Sequence, residues 1–268
     1  MRFYMASVVV AVFCFAGSAC TAMPIDARRT LISQSELQKE IDQTALSSPK
    51  QLELVSRSRY SHLADFAYKQ YKSVRDEHPN DFWANLLAGV AAENDWEYQT
   101  MSSTTETAPS AQMQVVLDKA RLFLSRALEL KPNFAQANME YGYFLWQYGN
   151  DAQSASRGFS LIQKGVQLSP NNSMAHTLLG EVSSNPYGYY ASYYNAARAA
   201  TEYQRAINLD PLYARPRWGL VVLDLLLKRY ADAQIQMTEF LRLTPADVAN
   251  EKTVKILQNA IQKGLGKG

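Results

Sequence analysis

Ala206-Ile-Asn-Leu-Asp-Pro211 and Phe240-Leu-Arg-Leu-Thr-Pro245 each close a helical stretch with the same Leu-x-Pro signature. Two earlier stretches, Ala127-Leu-Glu-Leu-Lys-Pro132 and Val166-Gln-Leu-Ser-Pro170, end in the same way. Proline disfavours helical geometry in the residue before it, so each signature marks a stop and a restart. Pro245 follows Pro211 by 34 residues, Pro211 follows Pro170 by 41, and Pro170 follows Pro132 by 38. A helix-turn-helix unit recurring at 34 residues, with small excesses in the earlier copies, predicts an all-α solenoid of antiparallel helix pairs.

Outward from these stops, the apolar spacing predicts the pairs. Ser35-Glu-Leu-Gln38 supplies a capping-box pattern for a first helix, broken at Ser47-Ser48-Pro49. Pro49 behind a Ser48 cap starts a helix carrying Leu52, Val55, Leu63, Phe66, Tyr71 and Val74, which should end near His78-Pro79. Phe82 to Gly89 opens a first helix partnered by Val116 to Leu130; Ala135 to Tyr148 pairs with Ser160 to Leu168. Ser173 to Val182 then pairs with Asn195 to Leu209, and Ala214 to Lys228 with Ala231 to Leu243. Small residues at Gly89, Ala120, Ala127, Gly142, Gly158, Gly180, Ala199, Ala206 and Ala233 let paired helices approach closely. A last helix after Thr244-Pro245 should turn Val254, Leu257 and Ile261 inward and Lys252, Lys255, Gln258 and Lys263 outward, with Gly264 as its stop. Such a one-sided helix suits the open end of a stack.

These residues resemble the tetratricopeptide repeat family. Leu87 or Ala88, Gly89, Ala120, Ala127 and Pro132 fit one unit; Tyr141, Gly142, Gly158 and Pro170 the next. Leu179, Gly180, Ala199, Tyr203, Ala206 and Pro211 fit a third, and Leu220, Tyr230, Ala233 and Pro245 a fourth. The chain departs from the pattern at Val221, where the family usually has glycine, and at Trp83 and Trp218, each one residue from the usual tryptophan site. The resemblance covers residues 50 to 245 and implies a right-handed superhelical course with a concave face lined by the first helix of each pair.

On that implication the concave face carries Trp83, Leu86, Met139, Tyr143, Trp146, Arg215 and Trp218, an apolar and aromatic surface for a peptide or an amphipathic helix. The bland alternative for each ring is packing between repeats. Where co-chaperone members hold a terminal carboxylate with Lys and Asn, this chain has Met139 and Tyr143, so no such clamp is expected; Arg215 is a candidate for an acidic ligand group. The excess residues fall between paired helices, at 97 to 113, 149 to 153 and 183 to 194. The third insert carries Tyr187, Tyr189, Tyr190, Tyr193 and Tyr194, and tyrosine gives adaptable contact area at low entropic cost.

Residues 1–22 have the outline of a secretory signal: Arg2, an apolar run to Ala16, then small residues before Cys20. Gly17-Ser18-Ala19-Cys20 resembles a bacterial lipoprotein processing site, which would lipidate Cys20; ordinary cleavage after Ala19 or Ala22 is the alternative. Residues 23–34 read as a tether and 35–264 as one repeat domain. The predicted location is the periplasm or the outer membrane, as an anchored lipoprotein. Lys+Arg 27 against Asp+Glu 25 leaves +2, too little to hold a row of phosphates, so nucleic acid is not an expected partner.

Chemistry finds little support. His62, His78 and His176 lack the spacing that puts two imidazoles on one metal, and both cysteines lie before residue 21, so no metal or cofactor is expected. Ser47-Ser-Pro-Lys50 matches a Ser-x-x-Lys pattern without its companion motifs. Glu140, Glu181 and Asp224 are the conceivable acids of an enzymatic reading. The expected function is a non-catalytic, exported scaffold that binds a protein or peptide partner and supports an envelope complex. A carrier holding a hydrophobic small molecule in the concavity is the alternative.

Overall fold

The computed structural model describes residues 33–58, 63–102, 111–244 and 252–266, all helices and connections with no strand among them. The signal segment, Cys20, the tether up to residue 32 and Pro245 lie outside the described residues. Twelve α-helices are described: α1 Gln34–Gln43, α2 Pro49–Ser58, α3 Leu63–Glu77, α4 Phe82–Ser102, α5 Ala111–Leu130, α6 Ala135–Tyr148, α7 Ala152–Leu168, α8 Ser173–Ser184, α9 Ala196–Leu209, α10 Arg215–Leu226, α11 Tyr230–Leu243 and α12 Lys252–Leu265. A 3₁₀ turn, Gly188–Tyr193, sits between α8 and α9. Where the sequence suggests one domain, the chain forms two compact units divided within α6, between Phe144 and Leu145.

Each Pro signature inside the described chain builds the same joint. The residue before the proline closes the last helical bond: His78 to Val74, Lys131 to Ala127, Ser169 to Gly165 and Asp210 to Ala206, at 2.9–3.0 Å. Its own carbonyl then accepts from the amide two residues past the proline, Asp81, Phe134, Asn172 and Tyr213, at 3.0–3.1 Å. This is a β-turn with proline at its second position, where a fixed φ is an advantage. Six residues after the proline a side chain donates back to the proline carbonyl: Asn85 to Pro79 at 2.9 Å and Asn138 to Pro132 at 2.9 Å. His176 Nε2 occupies the same place against Pro170, at 2.8 Å. Pro79 thus ends a unit one step earlier than the four signatures show.

In the first unit, α2 packs on α3 and α4, α3 on α4, and α4 on α5. The apolar run from residue 49 to 77 that reads as one helix is two, α2 and α3, with residues 59–62 outside the described set. Gln51 of α2 donates to Ile41 and Thr44 carbonyls at the end of α1, and accepts from the Tyr71 hydroxyl of α3 at 2.7 Å, tying three helices through one amide. The first cap falls on Ser33 rather than Ser35: Ser33 Oγ accepts from the Glu36 amide, and the Glu36 carboxylate accepts from the Ser33 amide. Gly89 is needed for contact, since a Cβ there would stand 2.7 Å from the Leu124 side chain. The described residues of the 97–113 insert are helical: α4 runs on to Ser102 and α5 begins at Ala111.

In the second unit, α7 packs on α8, α8 on α9 and α10, α9 on α10, α10 on α11, and α12 on α10 and α11. Trp218, Val221 and Leu225 of α10, Met237 and Phe240 of α11, and Val254, Leu257 and Ile261 of α12 form one buried cluster. Burial of each such aliphatic contributes about 1.5–3 kcal/mol, so α12 closes this end through three side chains. Gly264 continues the helix to Leu265 instead of stopping it; a Cβ there would meet the Tyr230 ring at 2.2 Å. Tyr203 of α9 lies between two glycines: a Cβ at Gly180 would stand 2.7 Å from its ring, and one at Gly219 2.4 Å.

Candidate partner-binding surfaces

The first-helix positions that would line a groove are mostly interior. Leu86 and Met139 are fully buried, and Tyr143, Trp146, Arg215 and Trp218 are buried to within 7% exposure. These helices carry apolar residues around more than one face, which leaves most of the named positions buried. Trp83 keeps partial exposure, edge-packed on Phe82 and Phe134 with ring centroids 5.2 and 5.3 Å apart. Trp218 packs at 5.1 Å from Phe240, inside the cluster that α12 closes.

Arg215 is taken up within the chain. Its Nε and a terminal nitrogen reach the two carboxylate oxygens of Glu181 at 2.6 and 2.7 Å, a bidentate pair joining α10 to α8. The arginine side chain is 3% exposed and the glutamate 14%, so a ligand carboxylate would have to displace an enclosed partner. A single hydrogen bond of 2.6 Å between His176 Nδ1 and the Glu202 carboxylate joins α8 to α9.

The tyrosine insert is divided between structure and surface. Tyr190 donates its hydroxyl to the Trp146 carbonyl at 2.5 Å, lies 3.2 Å from that of Gly149, and sets its ring 5.4 Å from Trp146. It therefore satisfies carbonyls at the C-terminal end of α6, which a helix end leaves without partners. Burial raises its pKa, with the Asp151 carboxylate adding to the effect. Tyr193 stacks on Phe159 of α7 at 4.6 Å, and Tyr187 and Tyr194 are half-buried. Tyr189, 53% exposed, is the ring the insert offers outward.

An open surface appears where sequence reasoning did not look. Between α9 and α11 runs a trough of about 620 Å³ floored by Leu220 and Asp224 of α10. Its α9 wall is one helical face, Ala200, Thr201, Gln204, Arg205 and Asn208; its α11 wall is Asp232, Ile235 and Gln236, with Arg229 at the entry to α11. Ile235 is one of the most exposed large aliphatic side chains among the described residues. Asp224 is buried, and Arg229 binds it at 2.5 Å while remaining 44% exposed. Burial raises the Asp224 pKa against the opposing pull of Arg229, with Asp232 adding to the rise.

Arg229 is placed by a strained turn. The α10 helix ends in a Schellman motif: Arg229 donates its amide to the Asp224 carbonyl at 2.8 Å and Lys228 to that of Leu225 at 3.1 Å. The left-handed position that this motif reserves for glycine is occupied by Lys228, at φ 60°. The available signal in the sequence was Arg229 itself, a charged residue in a very short α10–α11 connection; the burial of Asp224 beneath it was not readable.

No protein-family model matches the chain, and no curated protein does. Solved structures do match. The chain is similar to TTC0263, a thermophilic TPR protein of Thermus thermophilus, at 16% identity and TM-score 0.55, over 87% of this chain and 98% of that one. It is also similar to PilF of Pseudomonas aeruginosa, at 14% identity and TM-score 0.49, over 86% and 89%. YrrB, a TPR protein with an unusual peptide-binding site, matches at 12% identity and TM-score 0.45, over 84% and 97%. The fold is that of the tetratricopeptide repeat.

Proposed function

We propose that the protein is an exported helical-repeat scaffold that binds a polypeptide partner and supports assembly of a complex in the cell envelope. The trough between α9 and α11 carries the binding part of this reading. It is open, long enough for a peptide, and lined by amides, charges and one bare isoleucine. A carrier for a hydrophobic solute would call for an enclosed cavity, and this trough is open along its length. The acids weighed for catalysis are engaged within the fold: Glu181 is held by Arg215 and Asp224 by Arg229, and Glu140 accepts from Gln136. The export reading rests on Arg2, the apolar run to Ala16 and the small residues before Cys20.

A photo-crosslinking residue placed singly at Asn208, Tyr189 and Trp83, with Lys255 as an exposed control, tests the scaffold in living cells. A discrete polypeptide adduct from Asn208, absent from Lys255, is expected. Absence of adducts from all three positions would sink the scaffold reading. Palmitate labelling, compared with Cys20→Ala, reports on the anchor separately.

A further inference from the structure

The chemistry of the trough narrows its occupant. Arg229 is matched by Asp224 at 2.5 Å and stands 4.0 Å from Asp232, so its charge is answered within the fold. Arg205, on the opposite wall, has no carboxylate against it among the described residues; its polar contact is the Pro170 carbonyl at 3.4 Å. That distance is a weak bond for a guanidinium whose planar fork is built for a carboxylate. The charges lining the trough balance in number, two arginines and two aspartates, but both aspartates lie by Arg229. This leaves Arg205 as an unmatched cation on the α9 wall, facing an exposed Ile235 on the α11 wall with the largely buried Leu220 at the floor.

The amides add a second constraint. Gln204 donates to Asn208 at 3.0 Å along the exposed α9 wall, which leaves the Asn208 amide nitrogen and the Gln204 oxygen without a bonded partner among the described residues. Gln236 accepts from Arg217 at 3.3 Å, leaving its own NH₂ to donate. Paired donors and acceptors of this kind satisfy a peptide backbone, which carries one donor and one acceptor per residue. The α9 wall spans positions 200 to 208, about 12 Å at 1.5 Å per residue, the length of three to four extended residues.

We infer that the trough binds an extended polypeptide segment in which an acidic side chain stands next to an aliphatic or aromatic one. The carboxylate docks on Arg205, the apolar side chain enters between Leu220 and Ile235, and the amides of Gln204, Asn208 and Gln236 hold the backbone. The whole chain carries only +2 and the trough wall offers one unmatched arginine, too little for a row of phosphates, so nucleic acid is disfavoured at the same surface. The inference rests on the polypeptide-binding reading and names the class of segment.

The test selects peptides from a random twelve-residue display library on the immobilised full chain, in parallel with Arg205→Glu, Ile235→Asp and the control Lys255→Glu. All three positions are exposed, and thermal melts should coincide with that of the parent. Expected is at least tenfold enrichment of Asp or Glu beside Leu, Ile or Phe on the parent and on Lys255→Glu. Arg205→Glu should reverse the preference to Lys or Arg, and Ile235→Asp should remove the apolar preference. No enrichment, enrichment of basic or neutral sequences on the parent, or an unchanged profile on Arg205→Glu overturns the inference. Self-association of the parent that Arg205→Glu abolishes would also overturn it, by making a second copy the occupant. If in-cell adducts form at Asn208 while the library fails, the scaffold reading stands and only this specificity falls.

Discussion

Helix α10 carries two acid–arginine pairs that differ in one respect. Near its start, Arg215 grips Glu181 with both members enclosed; near its end, Asp224 is enclosed but Arg229 is 44% exposed at the rim of an open trough. The first pair is a fastening between α8 and α10. The second is a buried acid under a half-exposed cation. The contrast teaches that two acid–arginine pairs on one helix can differ in whether the cation is enclosed, and that residue type alone does not show which pair is which.

The largest expected effect comes from breaking the enclosed pair. Arg215→Ala strands the Glu181 carboxylate, and removal of one partner from a buried pair costs about 3–5 kcal/mol. A fall of that size in a urea titration is expected, and a loss under about 1 kcal/mol would show that Glu181 finds water or another donor. Arg229→Ala also strands a buried carboxylate, Asp224, but removing a 44%-exposed side chain opens that acid to water, so a smaller cost of about 1–3 kcal/mol is expected. The Arg229→Ala deficit should also shrink on acidification. Burial already raises the Asp224 pKa, and loss of Arg229 removes the main opposing influence, so the native state binds a proton more tightly than the unfolded chain. Stability is then regained as pH falls through the raised native value toward the ordinary 3.8. A deficit that is flat between about pH 7 and pH 4 would count against it.

Asp95 of α4 supplies an acid with no arginine against it among the described residues. It is buried, one oxygen accepts from Gln99 at 2.8 Å, and burial outweighs that bond to raise its pKa. Asp95→Asn removes the charge and should stabilise the fold by about 1 kcal/mol near pH 7. The gain should shrink as pH falls toward the ordinary 3.8, because the raised native carboxyl takes up its proton ahead of the unfolded chain; an equal gain at neutral and acid pH would contradict this. The smallest effect concerns the turn that places Arg229. Lys228→Gly relieves the left-handed strain but frees the unfolded chain, for a net gain of about 0.5 kcal/mol. A lower melting temperature in that variant would show that the lysine side chain contributes more than its backbone costs.

Helix ends were legible in the sequence because their causes are local. The proline joints at 132, 170 and 211 appear where the Leu-x-Pro signatures put them, since a proline and its preceding residue decide the turn alone. Ser33 displaced Ser35 as the first cap because both residues have a capping partner three positions on, and only geometry separates Glu36 from Gln38. The break between α2 and α3 was hidden by an apolar period that continues across it. Burial was the quantity that could not be read. Trp146 and Trp218 look alike whether they face a partner or a neighbouring helix, because what covers them comes from distant chain: Tyr190 in one case, α11 and α12 in the other. The trough escaped for the converse reason, since Gln204, Asn208 and Gln236 read as an ordinary wet helix face.

Tyr203 behaves as a shim. Its ring sets the gap between α8 and α10, and neither Gly180 nor Gly219 leaves room for a thicker neighbour. The three positions are therefore a single dimension written in three places, and a lineage that altered one would have to refit the other two. Co-inheritance of this trio in related chains is a more telling sign of shared descent than any one of its members.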